Sequence, residues 1–237
     1  MNVISGVYWN RGHRLHNEDS LALQQVLTCR GRVAMAVVCD GIGGLMEGEV
    51  ASGYIVERLI EYFYRQFAVL IGKGKGVSII RKCISRCFYE IGYEMRAYGK
   101  EKSIKLGTTV SMVLLWNHRY ITAHLGDSRI YRLEGEKVKQ ITTDHSDGKH
   151  GLMKCMGSFA FQKPELHMGR IRKNQGLLLC TDGFYRRMKA SDDLWNPTDI
   201  YEEQQITKRL EASAGQVQKL GEEDNLSAIY LKVTGRI

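Results

Sequence analysis

Proline is nearly absent from this chain of 237 residues, which has only Pro164 and Pro197. Pro-rich spacers are thereby excluded, and no low-complexity tract or long linker divides the sequence, so residues 1–237 are read as one domain. No apolar run approaches the roughly 20 residues of a membrane-spanning helix. The stretch Met1 to Gly6 lacks a basic region followed by a long apolar segment, so it does not read as a signal peptide, and a cytoplasmic protein is expected. No internal repeat is visible. Cysteines occur at 29, 39, 83, 87, 155 and 180 without zinc-knuckle or disulfide spacing, which favours buried reduced thiols. Cys83 and Cys87 share a helical stripe with Ile80, Ile84 and Ile91, so core packing is the better reading than a metal pair.

What is present is an ordinary globular balance, 43% hydrophobic and 25% charged, with a formal net charge of +8. The basic residues are scattered and not interleaved with stacking aromatics, which argues against a dedicated nucleic-acid surface. The positive field either draws anionic substrates inward or is a solvated surface; composition leaves both open.

Three acidic signatures lie far apart: Asp40-Gly41-Ile42-Gly43-Gly44, Thr181-Asp182-Gly183 and Asp224-Asn225. Each stands beside an apolar, strand-like run: Val33 to Cys39, Leu177 to Cys180, and Leu226 to Val233. If those strands are neighbours, their ends bring three carboxylates together. Such a cluster must hold protons at shifted pKa or hold a cation. Oxygen-only donors favour Mg²⁺ or Mn²⁺ over zinc. Taken singly, each Asp-Gly or Asp-Asn pair reads more readily as a turn.

Seven motifs in fixed order change that balance. Arg14 to Asp19 and Asp40 to Gly44 are followed by Gly107-Thr108-Thr109 and Gly126-Asp127-Ser128. Asp144-His145-Ser146, Thr181-Asp182-Gly183 and Glu223-Asp224-Asn225 complete the series. Together they resemble the metal-dependent protein Ser/Thr phosphatases of the PP2C family, over Ser5 to about Val233. The resemblance implies an α+β fold, a four-layer α-β-β-α sandwich of two antiparallel sheets flanked by helices. It also implies hydrolysis of phosphoserine and phosphothreonine on proteins, with two Mg²⁺ or Mn²⁺ ions and, in bacterial members, a weaker third.

The likeness assigns Asp40 to a position between both ions, the Gly41 carbonyl to one, and Asp182 with Asp224 to the other. Glu18 would reach an ion through water, and Asp19 and Asn225 would orient the ligands. Asp127 matches the holder of the third ion, with a plain hairpin turn as its alternative. Arg14 matches the phosphate-binding arginine, whose fork can clamp two phosphoryl oxygens; its alternative is a surface salt bridge. Asp40, Asp182, Asp224 and Arg14 are thus the candidate catalytic residues. Phosphoproteins, including a Ser/Thr kinase or its targets, are the implied partners, and a monomer is expected.

The residue pattern agrees with this fold. Ser20 to Thr28 and Arg32 to Cys39 read as a hairpin, followed by two helices with apolar stripes from Val50 to Phe67 and from Ile80 to Met95. Thr108 to Trp116, Tyr120 to Leu125, Arg129 to Leu133 and Lys137 to Thr142 read as strands with links too short for parallel pairing. Two further helices are expected near Asp199 to Ala214 and Gln216 to Leu220.

Three departures from the family pattern stand out. Ile42 replaces the histidine that eukaryotic relatives carry after the Asp-Gly pair, so imidazole catalysis from there is excluded. The flap between Ser146 and Leu152 is nearly absent, and the segment from Asp182 to Asp224 is short. Two other classes stay open: a pseudophosphatase or partner-switching regulator, and, on charge alone, a nucleic-acid binder.

Overall fold

The computed structural model describes the chain except residues 44, 46, 147–150, 189–198 and 236–237; Pro197 and part of the expected flap region lie outside the described residues. Strands β1 (Val3–Asn10), β2 (Asp19–Thr28) and β3 (Gly31–Asp40) precede a helical layer. That layer comprises α1 (Gly48–Tyr62), a π-helical turn at Phe63–Phe67, α2 (Ala68–Gly72) and α3 (Val77–Lys102). The short β4 (Gly107–Thr108) and then β5 (Val110–Trp116), β6 (Arg119–Leu125), β7 (Arg129–Glu134) and β8 (Lys137–Gln140) follow. The chain ends with β9 (Met156–Gly157), β10 (Glu165–Arg170), β11 (Gln175–Cys180), α4 (Asp182–Tyr185), α5 (Glu203–Lys219) and β12 (Leu226–Val233).

Two five-stranded sheets result, ordered β1-β12-β11-β7-β8 and β10-β6-β5-β3-β2, with β4 and β9 forming a small ribbon. Their strand pairs are antiparallel. The short links impose this on β2–β3, β5–β6 and β7–β8, whereas the equally short link from β6 leads to β7 in the other sheet, against the pairing expected from the sequence. Side-chain alternation along the strands builds the layers. In β3, Val33, Met35, Val37 and Cys39 face α1 and α3, while Ala34, Ala36 and Val38 face the other sheet. In β12, Leu226, Ala228 and Tyr230 face α5, and Ile229, Leu231 and Val233 turn to the inter-sheet core. Every residue of β12 is buried, as expected for a strand covered on both faces. Each fully buried large apolar side chain contributes about 1.5–3 kcal/mol relative to exposure. The architecture is the α-β-β-α sandwich.

Some local expectations change. Val50 is 41% exposed, and the buried stripe of α1 runs instead through Ala51, Ile55 and Leu59. The two helices expected after Asp199 are a single helix, α5, running through Gly215, which the helix tolerates at about 1 kcal/mol relative to Ala. All six cysteines are free; Cys83 is half-buried with its thiol 3.1 Å from Gln66 Oε1, and Cys29 is exposed. β3 and β11 lie in different sheets, so Asp40 and Asp182 meet by sheets packing face to face, not by strand adjacency.

Candidate active site

The ends of strands from both sheets meet at one edge of the sandwich. Asp40 closes β3, and its register partner across the hairpin is Asp19, the first residue of β2. Asp182 lies just beyond β11, and Asp224 just before its neighbour β12. Asp127 sits in the link by which the chain passes from β6 in one sheet to β7 in the other. Arg14 and Glu18 come from the β1–β2 connection, which also crosses between sheets.

Arg14, Glu18, Asp40, Asp127, Asp182 and Asp224 line one cleft of about 170 Å³, together with Gly41, Ile42, Gly43, Thr109, Leu152 and Asn225; Asp19 does not reach it. A larger cavity of about 550 Å³ opens at the other end of β11, among Arg132, Arg170, Arg172 and Lys173, away from the acidic groups.

The supporting bonds are specific. The Asp40 N–H donates to Thr109 Oγ1 at 2.9 Å, and the Asp40 carbonyl accepts from Thr108 Oγ1 at 2.7 Å and from the Thr109 N–H at 2.9 Å. Thr109 Oγ1 in turn lies 2.6 Å from Ser128 Oγ. Asn225 Oδ1 accepts from the Glu18 N–H at 2.9 Å, and its Nδ2 donates to the carbonyls of Arg11 and His16 at 2.8 and 3.0 Å. Asp19 is buried beneath, with Oδ2 accepting from Thr181 Oγ1 at 2.9 Å and Oδ1 without a hydrogen-bond partner.

Two glycines permit the close approach. A Cβ on Gly183 would stand 2.2 Å from the Asn225 carbonyl oxygen, and one on Gly12, at φ +61°, 2.0 Å from that of Asp224.

Electrostatically the cleft is under strain. Burial, then Asp19, Asp182, Asp224 and Asp127, pushes the Asp40 carboxyl well above its ordinary range. Burial holds Asp19 up to about 7 despite the Ser227 and Thr181 hydroxyls, and Asp127 up to about 6 with help from Asp182. Glu18 and Asp182 are raised too, first by burial. Arg14 Nε stands 3.2 Å from Asp224 Oδ1, with its side chain 56% exposed, so the salt bridge and the cleft-lining position coincide. Arg186, not anticipated from sequence, reaches the Asp182 carboxylate.

An all-oxygen donor set with raised carboxyl pKa values and an orphaned buried Asp19 oxygen fits a hard divalent cation. Among the described residues no three His, Cys, Asp or Glu side chains are gathered round one point, so any ion there would complete its shell with backbone oxygens and water, as Mg²⁺ habitually does. His145 lies outside this set: its Nδ1 accepts from the Gly126 N–H at 3.1 Å and its ring stacks on that of His124. Thr109 and Leu152 stood in the sequence pattern without a place in the site, and the Arg186 contact was not read at all, since Arg186 carried only its i, i+4 spacing from Asp182.

The sequence pattern of the protein phosphatase 2C family matches residues 10–226. The chain belongs to that family. Among similar proteins, a serine/threonine phosphatase stp from Listeria innocua is 22% identical over 240 residues, covering 92% of this chain and 91% of that one. A protein phosphatase PhpP from Streptococcus pneumoniae is 28% identical over 135 residues, covering 56% of this chain and 51% of its own. In fold, the chain is similar to a bacterial serine phosphatase, with a TM-score of 0.79, 23% identity and 98% of each chain covered. Stp1 from Staphylococcus aureus aligns with a TM-score of 0.81 at 21% identity, over 99% of this chain and 96% of that one.

Proposed function

We propose that the chain is a metal-dependent protein Ser/Thr phosphatase in which residues 1–237 form one catalytic domain. Phosphorylated proteins are its substrates, a Ser/Thr kinase or the targets of one among them. The observation that carries this reading is the single cleft lined by Arg14, Glu18, Asp40, Asp127, Asp182 and Asp224. Membership of the family and relatives that are bacterial Ser/Thr phosphatases support it. Helices of the described residues include none long and apolar enough to cross a membrane. A monomer working in the cytoplasm is our further expectation.

Asp40, the Gly41 carbonyl, Asp182 and Asp224 would hold two Mg²⁺ or Mn²⁺ ions, with Glu18 contributing through water and Asp127 serving a third. When bound, such ions activate water for attack on phosphorus and neutralise phosphoryl charge. Arg14, half-exposed at the cleft mouth, binds phosphoryl oxygens through its planar fork. Asp224 orients that guanidinium. Thr109 fixes the Asp40 backbone, and Asn225 fixes the loop bearing Glu18. Ile42 in the lining offers no proton, so the leaving group is not protonated from that position.

The test measures hydrolysis of p-nitrophenyl phosphate and phospho-Ser/Thr peptides across a Mn²⁺ titration, for the wild type, Asp40→Asn and Asp182→Asn. Activity should require Mn²⁺ or Mg²⁺, vanish with chelator, and fall by at least a hundredfold in both variants. Unchanged turnover in both would refute the assignment.

A further inference from the structure

Arg186 follows Asp182 by four residues, which turns its guanidinium back onto the Asp182 carboxylate. The same group places Nη1 3.2 Å from Glu222 Oε1 and 3.7 Å from Asp224 Oδ2. One permanent cation therefore touches both carboxylates assigned above to the same ion. Glu222 is the odd member of this set. Its side chain is only 5% exposed, it precedes Asp224 by two residues, and it has no place in the reaction.

Glu222 is held chiefly through Oε1, while its buried Oε2 has no hydrogen-bond partner. Oε1 also accepts from the N–H groups of Glu223 and Asp224 at 3.2 and 3.3 Å, and Oε2 lies 3.4 Å from Arg187 Nε at ion-pair distance. A buried carboxylate so held is an anchor for a guanidinium whose own side chain is 47% exposed and which also contacts Asp182 and Asp224. Opposite charges in a partly buried setting interact more strongly than in water, so where this guanidinium rests changes how tightly Asp182 and Asp224 attract any other cation.

We infer that Arg186 is a built-in counter-cation that sets the metal affinity of the Asp182–Asp224 side of the cleft. Glu222 is the positioning residue that pairs with it at 3.2 Å and offsets part of its charge beside those two carboxylates. The inference rests on the metal-dependent reading of the site. Its content is separate: the chain carries a fixed positive charge that competes with the ion, and a buried acid that moderates the competition.

The experiment measures Mn²⁺ binding to substrate-free protein, by calorimetry or by the spin-resonance signal of free Mn²⁺, for the wild type, Arg186→Met, Arg186→Lys, Glu222→Gln and the Arg186→Met/Glu222→Gln double variant. Arg186→Met should tighten Mn²⁺ binding at least fivefold, whereas Arg186→Lys, which keeps the charge, should stay within about threefold of wild type. Glu222→Gln should weaken binding at least fivefold alone and less than twofold in the Arg186→Met background, since the acid then has nothing to restrain. Unchanged or weaker binding in Arg186→Met overturns the inference. Equal losses from Glu222→Gln in both backgrounds would reduce Glu222 to a support of its own turn. If Glu222→Gln does not fold, the Met and Lys variants at position 186 decide the matter. A wild type that binds no Mn²⁺ would sink the metal reading itself, a result distinct from a wild type that binds and variants that do not differ.

Discussion

The backbone N–H of Asp40 donates to the hydroxyl of Thr109, which itself lies 2.6 Å from Ser128 Oγ. The residue proposed to sit between two ions is thus held by a neighbour on the next strand connection. Replacing Thr109 with Val keeps the shape but strands a buried N–H, at a cost of about 1–3 kcal/mol. Thr109→Val should lower both the unfolding midpoint and kcat, and Thr109→Ser should recover most of each, as read by thermal unfolding and p-nitrophenyl phosphate turnover.

Arg14 is more exposed than its partner Asp224 and faces the cleft. Its loss should act on substrate capture more than on chemistry. Arg14→Ala is expected to raise KM roughly tenfold with kcat changed far less, and Arg14→Lys to recover only part, because an ammonium cannot grip two oxygens at once. An unaltered KM would make Arg14 a surface salt bridge and nothing more.

Asn225 spends its whole side-chain amide on three backbone groups of the β1–β2 connection. Asn225→Ala should destabilise the fold by about 2–3 kcal/mol, reckoning about 1 kcal/mol for each bond lost. Denaturant unfolding of the chelator-treated protein reads this directly. A change below about 0.5 kcal/mol would mean that water replaces the amide.

In metal-free protein Asp127 is pushed from its ordinary 3.8 up to about 6, by burial first and then by Asp182. Between those values the folded chain keeps a proton that the unfolded chain has released. The corresponding stability is therefore present below about pH 4 and lost as pH rises through about 6. His124 has the opposite sign: burial lowers it to about 4, so its contribution is present above pH 6.5 and lost on acidification. Comparing Asp127→Asn with wild type leaves His124 common to both. The variant should gain relative stability as pH rises from 4 to 6, and parallel curves would contradict the raised Asp127 value.

Much of this fold could be read from the chain because its central strands are apolar on both faces. Leu226–Val233 is seen at the bounds its composition indicates. In the two large sheets, the strands that escaped notice are β1 and β10, both at sheet edges. There Gly6 packs under Ile206 and Gly169 against Tyr120, and charged residues such as Glu165 and Arg170 break the alternation that marks a half-buried strand. The acidic residues announced themselves by neighbouring glycines and by their order along the chain. Glu222 and Arg186 did not, since 36 positions separate them and only folding makes them a pair. Which sheet carries which aspartate was equally hidden, because antiparallel links specify neighbours within a layer and say little about how two layers face each other.

That division of labour between layers has a mechanical consequence. Asp40 rides on one sheet, Asp182 and Asp224 on the other, and the apolar seam that includes Ala34, Ala36, Val38, Leu179 and Ile229 sets the gap between them, bridged beside the site by the Thr181–Asp19 hydrogen bond. A cation gripped from both sides would act as a rivet through the sandwich, so loading it should resist sliding or parting of the sheets, and packing defects deep in that seam should be felt first as a loosened grip on the ion.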